Sequence, residues 1–550
     1  MSLSEDLKNA IRGEVDNSPE TLEAYSTDAS LFKVRPEVAV RPKDAQDVAA
    51  LVSFVAAKKK AGEKISITAR AAGTDMSGGP LGESIILDTT AHLNRFIELG
   101  STYAVAEPGM YFRDFDKETK KKNLEMPGYP ASRNLATVGG MVANNAGGEK
   151  NLKYGKTGRY VDELDVVMTD GEIHTLKKLE GEALQKKLAE TSFEGDVYRA
   201  VAELVSKNTE TIEHARPKVT KNSSGYALWD VGNGVEALNL IPLIVGSQGA
   251  LGVITRIRFS LVTPKPFSSM VVMFLNDLKE LRTIIPVVLA EKPDSFESYD
   301  DKTLELAVKY FPEFAVQMKA GIISLGVSFL PELWMLVTHG IPKLILLVEF
   351  REDSQKEALQ KAELLAEKIR NSHLRTKVRI AKDERAARKY WTIRRESFNL
   401  LRKKVRGKRT APFIDDFVVP PLVLPEFLPK LQEILSHYTH ALTYTIAGHV
   451  GDGNFHIIPL IDPTKPGIGK VIDELSHKVY DLVVSYHGSI SGEHNDGIVR
   501  TPYVKAMFGE EMTTLFEQVE HIFDPLGIFN PGKKVGTSFA DAVKRLDVAE

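Results

Sequence analysis

Gly448-His449-Val450-Gly451-Asp452-Gly453-Asn454-Phe455-His456 is a short stretch in which two histidines flank an Asp-Gly dipeptide. Asp-Gly favours the two-residue turn of a β-hairpin, and that turn would place His449 directly opposite His456. Opposed residues have Cβ atoms about 5 Å apart, so both imidazoles could bind one metal ion. Glu493, in Gly492-Glu493-His494, offers the carboxylate of a two-His, one-carboxylate site. Two packed histidines in a Gly-rich hairpin would give the same pattern, and for the pair alone both readings stay open.

The size and charge of the chain narrow the classes of function. Its 550 residues exceed one hydrophobic core and predict two or three domains. With 71 basic and 74 acidic residues, the formal charge of -3 predicts no nucleic-acid partner. The sequence has no cysteine, which excludes disulfides, thiolate-bound zinc, an iron-sulfur cluster and a Cys nucleophile within this chain.

The apolar segments predict a cytoplasmic protein. The first residues lack the apolar core of a signal peptide. The most apolar stretch, 320–350, is broken by prolines and charged residues, so we expect no transmembrane helix. Contact with the inner face of the membrane stays open.

Three loops of small residues lie in the first half of the chain. The first is Arg70 to Gly79, the second runs from Pro127 to Gly148 with Tyr154-Gly155, and the third combines 221–226 with 245–254. Free backbone amides in such loops can wrap a diphosphate closely. A lone Gly-rich loop is usually a plain turn, but three in one region indicate a large cofactor.

These loops resemble the FAD-binding domain of the vanillyl-alcohol oxidase and p-cresol methylhydroxylase type. The second half, with the hairpin, Gly492-Glu493-His494 and Asn530-Pro531-Gly532-Lys533, resembles the C-terminal domain of FAD-linked D-2-hydroxyacid dehydrogenases. The resemblance implies noncovalent FAD, because Thr74-Asp75-Met76 stands where covalent members often carry a His. The FAD-binding residues expected from the loops and the resemblance are Arg70, Ala72, Gly73, Thr74, Ser77, Gly78, Pro127, Gly128, Ser132, Thr137, Gly139, Gly140, Asn144, Asn145, Gly147, Gly148, Tyr154, Gly155, Gly249, Gly252, Val253, Ile254 and Asn530.

The resemblance also implies an α+β fold with a two-part FAD-binding domain. From Pro264 the pattern changes to strands alternating with amphipathic helices, which predicts an antiparallel sheet covered by helices on one face. We expect a helical lead, the FAD domain, a substrate cap with the metal site, and a C-terminal helical segment that returns to the flavin. Their predicted ranges are 1–34, 35–264, 265–510 and 511–550, with a helical insertion of unassigned role at 311–341.

The resemblance implies a role for each candidate catalytic residue. Trp391-Thr392-Ile393-Arg394 matches the family's Trp-x-x-Arg, whose Arg holds the substrate carboxylate through two parallel hydrogen bonds. A metal ion on His449, His456 and Glu493 would bind the substrate hydroxyl and lower its pKa. Zn²⁺ suits these ligands best, and Mn²⁺ or Fe²⁺ would also fit. His494 would take the hydroxyl proton as general base while flavin N5 takes the hydride.

The same match gives an expectation about the substrate. D-Lactate, D-2-hydroxyglutarate and glycolate dehydrogenases all belong to the group. Its 2-hydroxyglutarate enzymes carry a Thr where this chain has Phe398, and a Lys near the segment that is here Phe413-Ile414-Asp415-Asp416. We therefore expect a D-lactate-like monocarboxylate, with D-2-hydroxyglutarate or glycolate as the alternatives. Asn495 is a further departure, because relatives usually have Gly there.

Two other classes of protein share parts of the pattern. Ether-lipid (alkyl-glycerone-phosphate) synthases are transferases with this FAD fold, but they carry a run of consecutive His where this chain has the single His494. An electron-transfer subunit without substrate chemistry would leave the candidate metal ligands unexplained. We expect a 2-hydroxyacid dehydrogenase that passes electrons to a quinone, an electron-transfer flavoprotein, a cytochrome or a separate iron-sulfur protein.

Overall fold

The structure, a computed structural model, describes residues 2–309, 340–404 and 407–549, with side chains for all of these except 396–404. The helical insertion predicted at 311–341 therefore lies almost entirely outside the described residues. Within the described ranges, no helix has both the length and the apolar character needed to cross a membrane.

Two sheets organise the first half of the chain. In the first, parallel pairs join β4 to β2 and β3, and β1 lies antiparallel at the edge beside β2. All residues of β4 are buried, as expected of a central parallel strand covered on both faces. The strands of this sheet are β1 (Glu14–Asp16), β2 (Val38–Arg41), β3 (Ile67–Arg70) and β4 (Ile85–Asp88).

The second sheet is antiparallel, in the order β5-β6-β11-β7-β8. Along β11 buried residues alternate with partly exposed ones, so one face packs on the core. Its strands are β5 (Phe96–Leu99), β6 (Tyr103–Ala106), β7 (Val161–Val167), β8 (Ile173–Leu176) and β11 (Val253–Ser260), and a separate two-stranded ribbon pairs β9 (Leu179–Glu180) with β10 (Ala237–Leu238).

Helices cover both sheets. One of them, α3, begins after Asp44, whose side chain accepts a hydrogen bond from the Asp47 amide, and it buries Val48, Leu51 and Val55 as its apolar spacing predicts. The helices of this half are α1 (Leu3–Ala10), α2 (Pro19–Tyr25), α3 (Ala45–Lys60), α4 (Phe112–Lys120), α5 (Val138–Asn144), α6 (Asn151–Tyr154), α7 (Gly181–Leu188), α8 (Phe193–Lys207), α9 (Thr209–Ala215) and α10 (Ile241–Ile244).

A seven-stranded antiparallel sheet organises the second half, in the order β15-β12-β14-β13-β19-β20-β17. Its strands are β12 (Phe267–Leu275), β13 (Ser295–Asp300), β14 (Leu344–Glu352), β15 (Lys377–Ala381), β17 (Phe417–Val418), β19 (Ile446–His449) and β20 (Asn454–Ile457). A small sheet beside it joins β16 (Arg409–Thr410), β21 (Leu460–Ile461) and β18 (Leu442–Thr443).

Helices cover both faces of this sheet, so the prediction of one covered face is wrong. Val271 and Met273 face one helix layer, whereas Met270 and Val272 face the other. Residues 270–275 of β12 are all apolar and all buried, which is typical of a strand covered on both faces. The first layer contains α11 (Leu281–Ala290), α13 (Gln355–Asn371) and α15 (Leu424–Ser436), and the second contains α12 (Asp301–Lys309) and α14 (Glu384–Lys404).

The hairpin forms, but its register differs from the predicted one. A single 3₁₀ turn, Val450–Asp452, precedes Gly453, so the loop has four residues rather than two. His449 therefore pairs with Asn454, and His456 pairs with Ala447. The register is shifted by two residues, and an even shift keeps every side chain on its predicted face. The imidazoles of His449 and His456 remain diagonal neighbours, with ring centroids 5.3 Å apart.

The C-terminal segment, which we expect to contact the flavin, returns to the first half of the chain. After the last long helix, the backbone amide of Asn530 donates to the carbonyl of Ile67 on β3 at 2.8 Å. The long helix is kinked at Gly509, whose φ of 79° is not helical. The helices of this region are α16 (Ile468–Ser485), α17 (Gly497–Phe523) and α18 (Phe539–Lys544).

Candidate active site

A cavity of about 710 Å³ lies where the first half of the chain meets the seven-stranded sheet. Segments from all three Gly-rich loops line it on one side. Residues of α14, β19, β20 and the loop before α17 line it on the other. The predicted FAD-binding residues in its wall are Arg70, Ala72, Gly73, Thr74, Ser132, Thr137, Gly139, Gly140, Asn144, Gly249, Gly252, Val253 and Ile254.

The remaining predicted FAD-binding residues do not line the cavity. At Gly128, one of them, an added Cβ would lie 2.8 Å from the Lys156 carbonyl carbon. Asn530 ties two loops together by donating to the carbonyls of Gly79 and Gln248, at 2.9 and 2.6 Å. Small residues were expected to face the ligand, but many of them instead let backbone segments pack closely. The residues outside the wall are Ser77, Gly78, Pro127, Gly128, Asn145, Gly147, Gly148, Tyr154, Gly155 and Asn530.

The cavity has room for a large cofactor. At Gly140 and Gly249, both in the wall, an added Cβ would meet no protein atom nearer than 3.3 and 3.5 Å, so it would take up cavity space. Gly249 also has a φ of +75°, which a glycine adopts without strain. The volume lies within the range typical of cofactor and ligand sites.

His449, His456 and Glu493 converge in this cavity. One potential ligand atom of each residue lies within 4.8 Å of those of the other two. His449 Nε2 lies 3.5 Å from Glu493 Oε1. The three residues are buried or nearly so, and two imidazoles with a carboxylate are a donor set that suits a divalent metal ion. The residues therefore fit the predicted ion.

Two buried carboxylates orient the histidines. Glu297 Oε1 lies 2.6 Å from Nδ1 of His449. Asp415 lies 3.2 Å from Nδ1 of His456 through Oδ1, and 2.9 Å from Nδ1 of His494 through Oδ2. Both candidate ligands thus have Nδ1 engaged, which is the usual arrangement when Nε2 of a histidine binds a metal.

The loop that carries Glu493 and His494 is fixed by Asp416. Its Oδ2 accepts from the backbone amides of Glu493 and His494 at 2.8 and 2.7 Å, and from the Ser491 hydroxyl at 2.9 Å. Asn495, next in the chain, has a φ of 69° in the left-handed region. Asn tolerates this region better than most residues.

Buried lysines from the first half of the chain and from the C-terminal segment support the same loop. Lys156 lies 3.2 Å from the carbonyl of Gly492, and Lys534 lies 2.6 Å from Asp496. Lys221 has no exposed side-chain surface and contacts Glu493 directly. A carboxylate accepts several hydrogen bonds, so Glu493 can accept from Lys221 and still bind an ion.

The charges favour the ligand forms of these groups. Burial and the nearby Lys221 ammonium hold the pKa of His449 well below its ordinary value, so its imidazole is neutral. Although burial opposes ionisation, the adjacent Lys221 ammonium is the main cause that lowers the pKa of Glu493 to about 2. A neutral imidazole and an ionised carboxylate are the forms that bind metal.

His494 and Glu297 have shifted pKa values. Burial disfavours the charged form of His494, but Asp416 and Asp415 raise its pKa to about 9. His494 is therefore largely protonated at pH 7 in this arrangement. Burial raises the pKa of Glu297 to about 7, against the opposing effect of Arg394 and Lys221.

Arg394 and Arg395 both line the cavity but have different partners. Nη2 of Arg394 lies 3.0 Å from Oε2 of Glu297, within the second half of the chain. Arg395 donates through Nε and Nη2 to both oxygens of Glu149, at 2.9 and 2.6 Å, and so joins α14 to the first half. Arg133 also lies 3.8 Å from Glu149. Arg394 therefore keeps more of its donors for a ligand.

The sequence reading missed Glu297, Asp415, Asp416 and Lys221. Two of them left a signal in the sequence, because Asp415-Asp416 interrupts the apolar run Phe413-Ile414 to Phe417-Val418-Val419. Adjacent acids within a strand-like run are seldom buried unless they are paired. Glu297 lies within the pattern of alternating strands and helices after Pro264, and that pattern gave no indication of its partners.

Two family models match the chain. Residues 36–177 match the FAD binding domain, and residues 265–534 match the C-terminal domain of the FAD linked oxidases. Together the two matches include the loops and candidate catalytic residues described above, except the third loop.

Curated relatives and solved structures agree with these matches. The chain is 28% identical over 535 residues to D-2-hydroxyglutarate dehydrogenase of Pseudomonas putida, covering 96% of this chain and 51% of that protein. It is 28% identical over 521 residues to D-lactate dehydrogenase of Archaeoglobus fulgidus, covering 93% and 96%. The chain spans about half the length of the first curated relatives it matches. The solved structure of 4-ethylphenol oxidase from Gulosibacter chungangensis aligns with a TM-score of 0.68 over 98% of this chain and 97% of that chain, at 16% identity, which shows a shared fold.

Proposed function

The chain belongs to the FAD-linked oxidases, and from that premise we propose that it oxidises a D-2-hydroxyacid to the 2-oxoacid. The observation that carries the proposal is the convergence of Arg394, the His449-His456-Glu493 triad and His494 in one cavity. A guanidinium, a metal-binding set and a histidine are the groups that a carboxylate, a hydroxyl oxygen and a hydroxyl proton require.

Each residue has one task in this proposal. Arg394 holds the substrate carboxylate and fixes the α-carbon. His494 takes the hydroxyl proton as a neutral imidazole. Its protonated form must therefore lose a proton before it can act as the base. A divalent ion on the triad would supply a Lewis acid, with Zn²⁺ favoured over Mn²⁺ and Fe²⁺. FAD, when bound, supplies the two-electron oxidant for the hydride of the α-carbon.

The wall near the triad supports a small or apolar substrate tail. Thr445, Ala447 and Ile458 line the cavity beside His449 and His456. Besides Arg394, the described arginines of the wall are already engaged, because Arg395 and Arg133 lie at Glu149 and Arg70 donates to the carbonyl of Thr27. We therefore favour a D-lactate-like monocarboxylate and keep D-2-hydroxyglutarate and glycolate as alternatives.

Reoxidation requires a partner that accepts electrons. We include in the proposal a quinone, an electron-transfer flavoprotein, a cytochrome or a separate iron-sulfur protein as the acceptor, because the chain has no cysteine with which to bind a cluster of its own. We propose a cytoplasmic location, peripheral to the inner face of the membrane if the acceptor is a quinone.

Anaerobic reduction of the flavin tests the function. D-Lactate, D-2-hydroxybutyrate, D-2-hydroxyglutarate and the achiral glycolate are added separately while flavin absorbance is followed, with the L-enantiomers of the three chiral acids as controls. We expect D-lactate or D-2-hydroxybutyrate to bleach the flavin fastest, and the L-enantiomers to leave it oxidised. A flavin that none of these acids reduces would reject the dehydrogenase in favour of a transferase or an electron-transfer subunit.

A further inference from the structure

Glu297 is a buried carboxylate between two residues of the proposed site. Its side chain is 2% exposed and lies in the cavity wall. One oxygen lies 2.6 Å from Nδ1 of His449, and the other lies 3.0 Å from Nη2 of Arg394. No other described ion pair in the cavity joins a candidate metal ligand to the candidate substrate arginine.

The sheet itself sets this position. In the antiparallel pairing of β13 with β19, Ser298 lies opposite Gly448 and Tyr299 opposite Ala447. Continuing that register by one residue puts Glu297 opposite His449, on the face that α14 covers. Arg394 reaches the same face from α14, which packs on it through Trp391 and Ile393. The contact is therefore built from three elements rather than from one flexible loop.

We propose that Glu297 is a positioning residue that couples carboxylate binding at Arg394 to metal binding at His449. This inference rests on the proposed function. Accepting from Nδ1–H of His449 fixes the tautomer that leaves Nε2 for an ion. Facing one edge of the Arg394 guanidinium leaves its remaining N–H groups for the substrate. Movement at either partner is then transmitted to the other through one rigid carboxylate.

The variant Glu297→Gln tests whether Glu297 couples His449 to Arg394 or only fills the space between them. A glutamine has nearly the same shape but only one acceptor oxygen, with an NH₂ donor in place of the other. Its single oxygen can face His449 or Arg394, but not both, and its NH₂ group must then face the other. An ion pair is lost as well, so both binding events should weaken together.

Glu349→Gln is the matched control. Glu349 is a buried acid on the neighbouring strand β14, and its carboxylate accepts from Trp391 Nε1 of α14 at 3.3 Å. It faces the same helix as Glu297, and its described side-chain contacts are with Trp391 and Arg351 rather than with the candidate site residues. A purely structural effect of losing a buried acid should appear equally in both variants.

The experiment measures binding rather than turnover. Zn²⁺ affinity is determined by competition with a chelator in the flavin-loaded protein, and the Kd of oxalate is read from the flavin spectrum with and without Zn²⁺. For Glu297→Gln we expect Zn²⁺ affinity to fall 10- to 100-fold, the usual effect of losing such a partner. We also expect weaker oxalate binding and less strengthening of oxalate binding by Zn²⁺. Glu349→Gln should match the wild type in all three.

Two results would overturn the proposal. One is wild-type Zn²⁺ affinity in Glu297→Gln, and the other is an equal loss in Glu349→Gln. If Glu297→Gln does not retain flavin, Glu297→Asp keeps the charge but reaches only one partner, and the same losses are expected of it. If the wild type binds Zn²⁺ but no 2-hydroxyacid reduces its flavin, the proposed function is rejected. The binding test of Glu297 is still valid in that case.

Discussion

At the scale of single residues, the adjacent Arg394 and Arg395 are expected to have different roles, because they contact different carboxylates. Arg394→Lys should lower substrate affinity and rate together, because a point charge cannot replace a bidentate contact. We expect kcat/KM to fall about 30- to 100-fold, equivalent to about 2–3 kcal/mol, with full flavin content. Steady-state kinetics and the flavin-to-protein ratio check this.

Arg395→Lys is the internal comparison. Because Arg395 is held by Glu149 on the other half of the chain, we expect its loss to affect stability more than kcat/KM. An active Arg394→Lys beside an impaired Arg395→Lys would show that the neighbouring arginine holds the carboxylate.

His174 lies on β8 and does not line the cavity. Its surroundings lead us to expect that the stability of the protein depends on pH. Its ring lies 2.9 Å from Asp170 and 3.3 Å from Glu194, which also pairs with Lys187. Burial opposes its charge, but the two carboxylates raise its pKa to about 9. A pKa raised on folding gives stability that is complete below the unfolded value of about 6.5 and is lost as the pH rises through 9.

His174→Gln should therefore destabilise the protein mainly below pH 7. We expect a loss of about 1–3 kcal/mol at pH 6, with a smaller difference from the wild type at pH 10. Urea unfolding at the two pH values measures this. An equal difference at both would mean that the charge of His174 adds nothing.

At the scale of elements, the hairpin shows what the sequence could and could not predict. The Asp-Gly signal located the turn, and the alternation of a strand placed both histidines on one face. The register could not be predicted, because Gly453 takes a φ of +70° after a 3₁₀ turn and its close contact with Val419 forms only in the folded sheet.

Gly453→Ala should disrupt the hairpin more than its backbone conformation alone requires. An added Cβ would lie 1.8 Å from the carbonyl oxygen of Val419. Gly467→Ala is the matched control, since Gly467 has a φ of +77° but an added Cβ there meets nothing within 4 Å. The control should lose about 1–2 kcal/mol, and Gly453→Ala should lose more and also lose metal. Urea midpoints and metal content that are alike in the two variants would contradict this.

The first Gly-rich loop predicts noncovalent FAD. Thr74-Asp75-Met76 offers no histidine, and the Asp75 carboxylate accepts from the amides of Ser77 and Gly79 at 3.1 and 2.7 Å. Acid precipitation should therefore release all the yellow colour into the supernatant. Flavin that remained in the pellet would mean a covalent link from another residue of the wall.

At the scale of the whole molecule, local patterns predicted more of the fold than of the site. The three loops follow from signals that are contiguous in sequence, whereas the α+β class and the returning C-terminal segment are implied by the family resemblance. Covering the large sheet on both faces could be foreseen only from the apolar run at 270–275 in β12. Glu297 pairs with His449, about 150 residues later in the chain, and Asp415 pairs with His456, about 40 residues later. No local sequence pattern could predict these two pairs.

The division between the halves makes the central claim testable. The three flavin loops precede Pro264, and the candidate ligands His449, His456 and Glu493 follow it. Metal and flavin should therefore be separable. Removing the ion should leave FAD bound while slowing its reduction by substrate by several orders of magnitude, each factor of ten being about 1.4 kcal/mol of barrier.

Metal and FAD content per chain, measured beside anaerobic reduction by substrate, is the most direct test. Chelated wild type should keep FAD, fail to be reduced, and recover with Zn²⁺. His449→Ala and His456→Ala should behave like the chelated protein and not recover, whereas His494→Ala should keep one equivalent of metal and still lose most activity. A metal-free wild type that is fully active, or a His494→Ala protein that has lost its metal, would contradict the assignment.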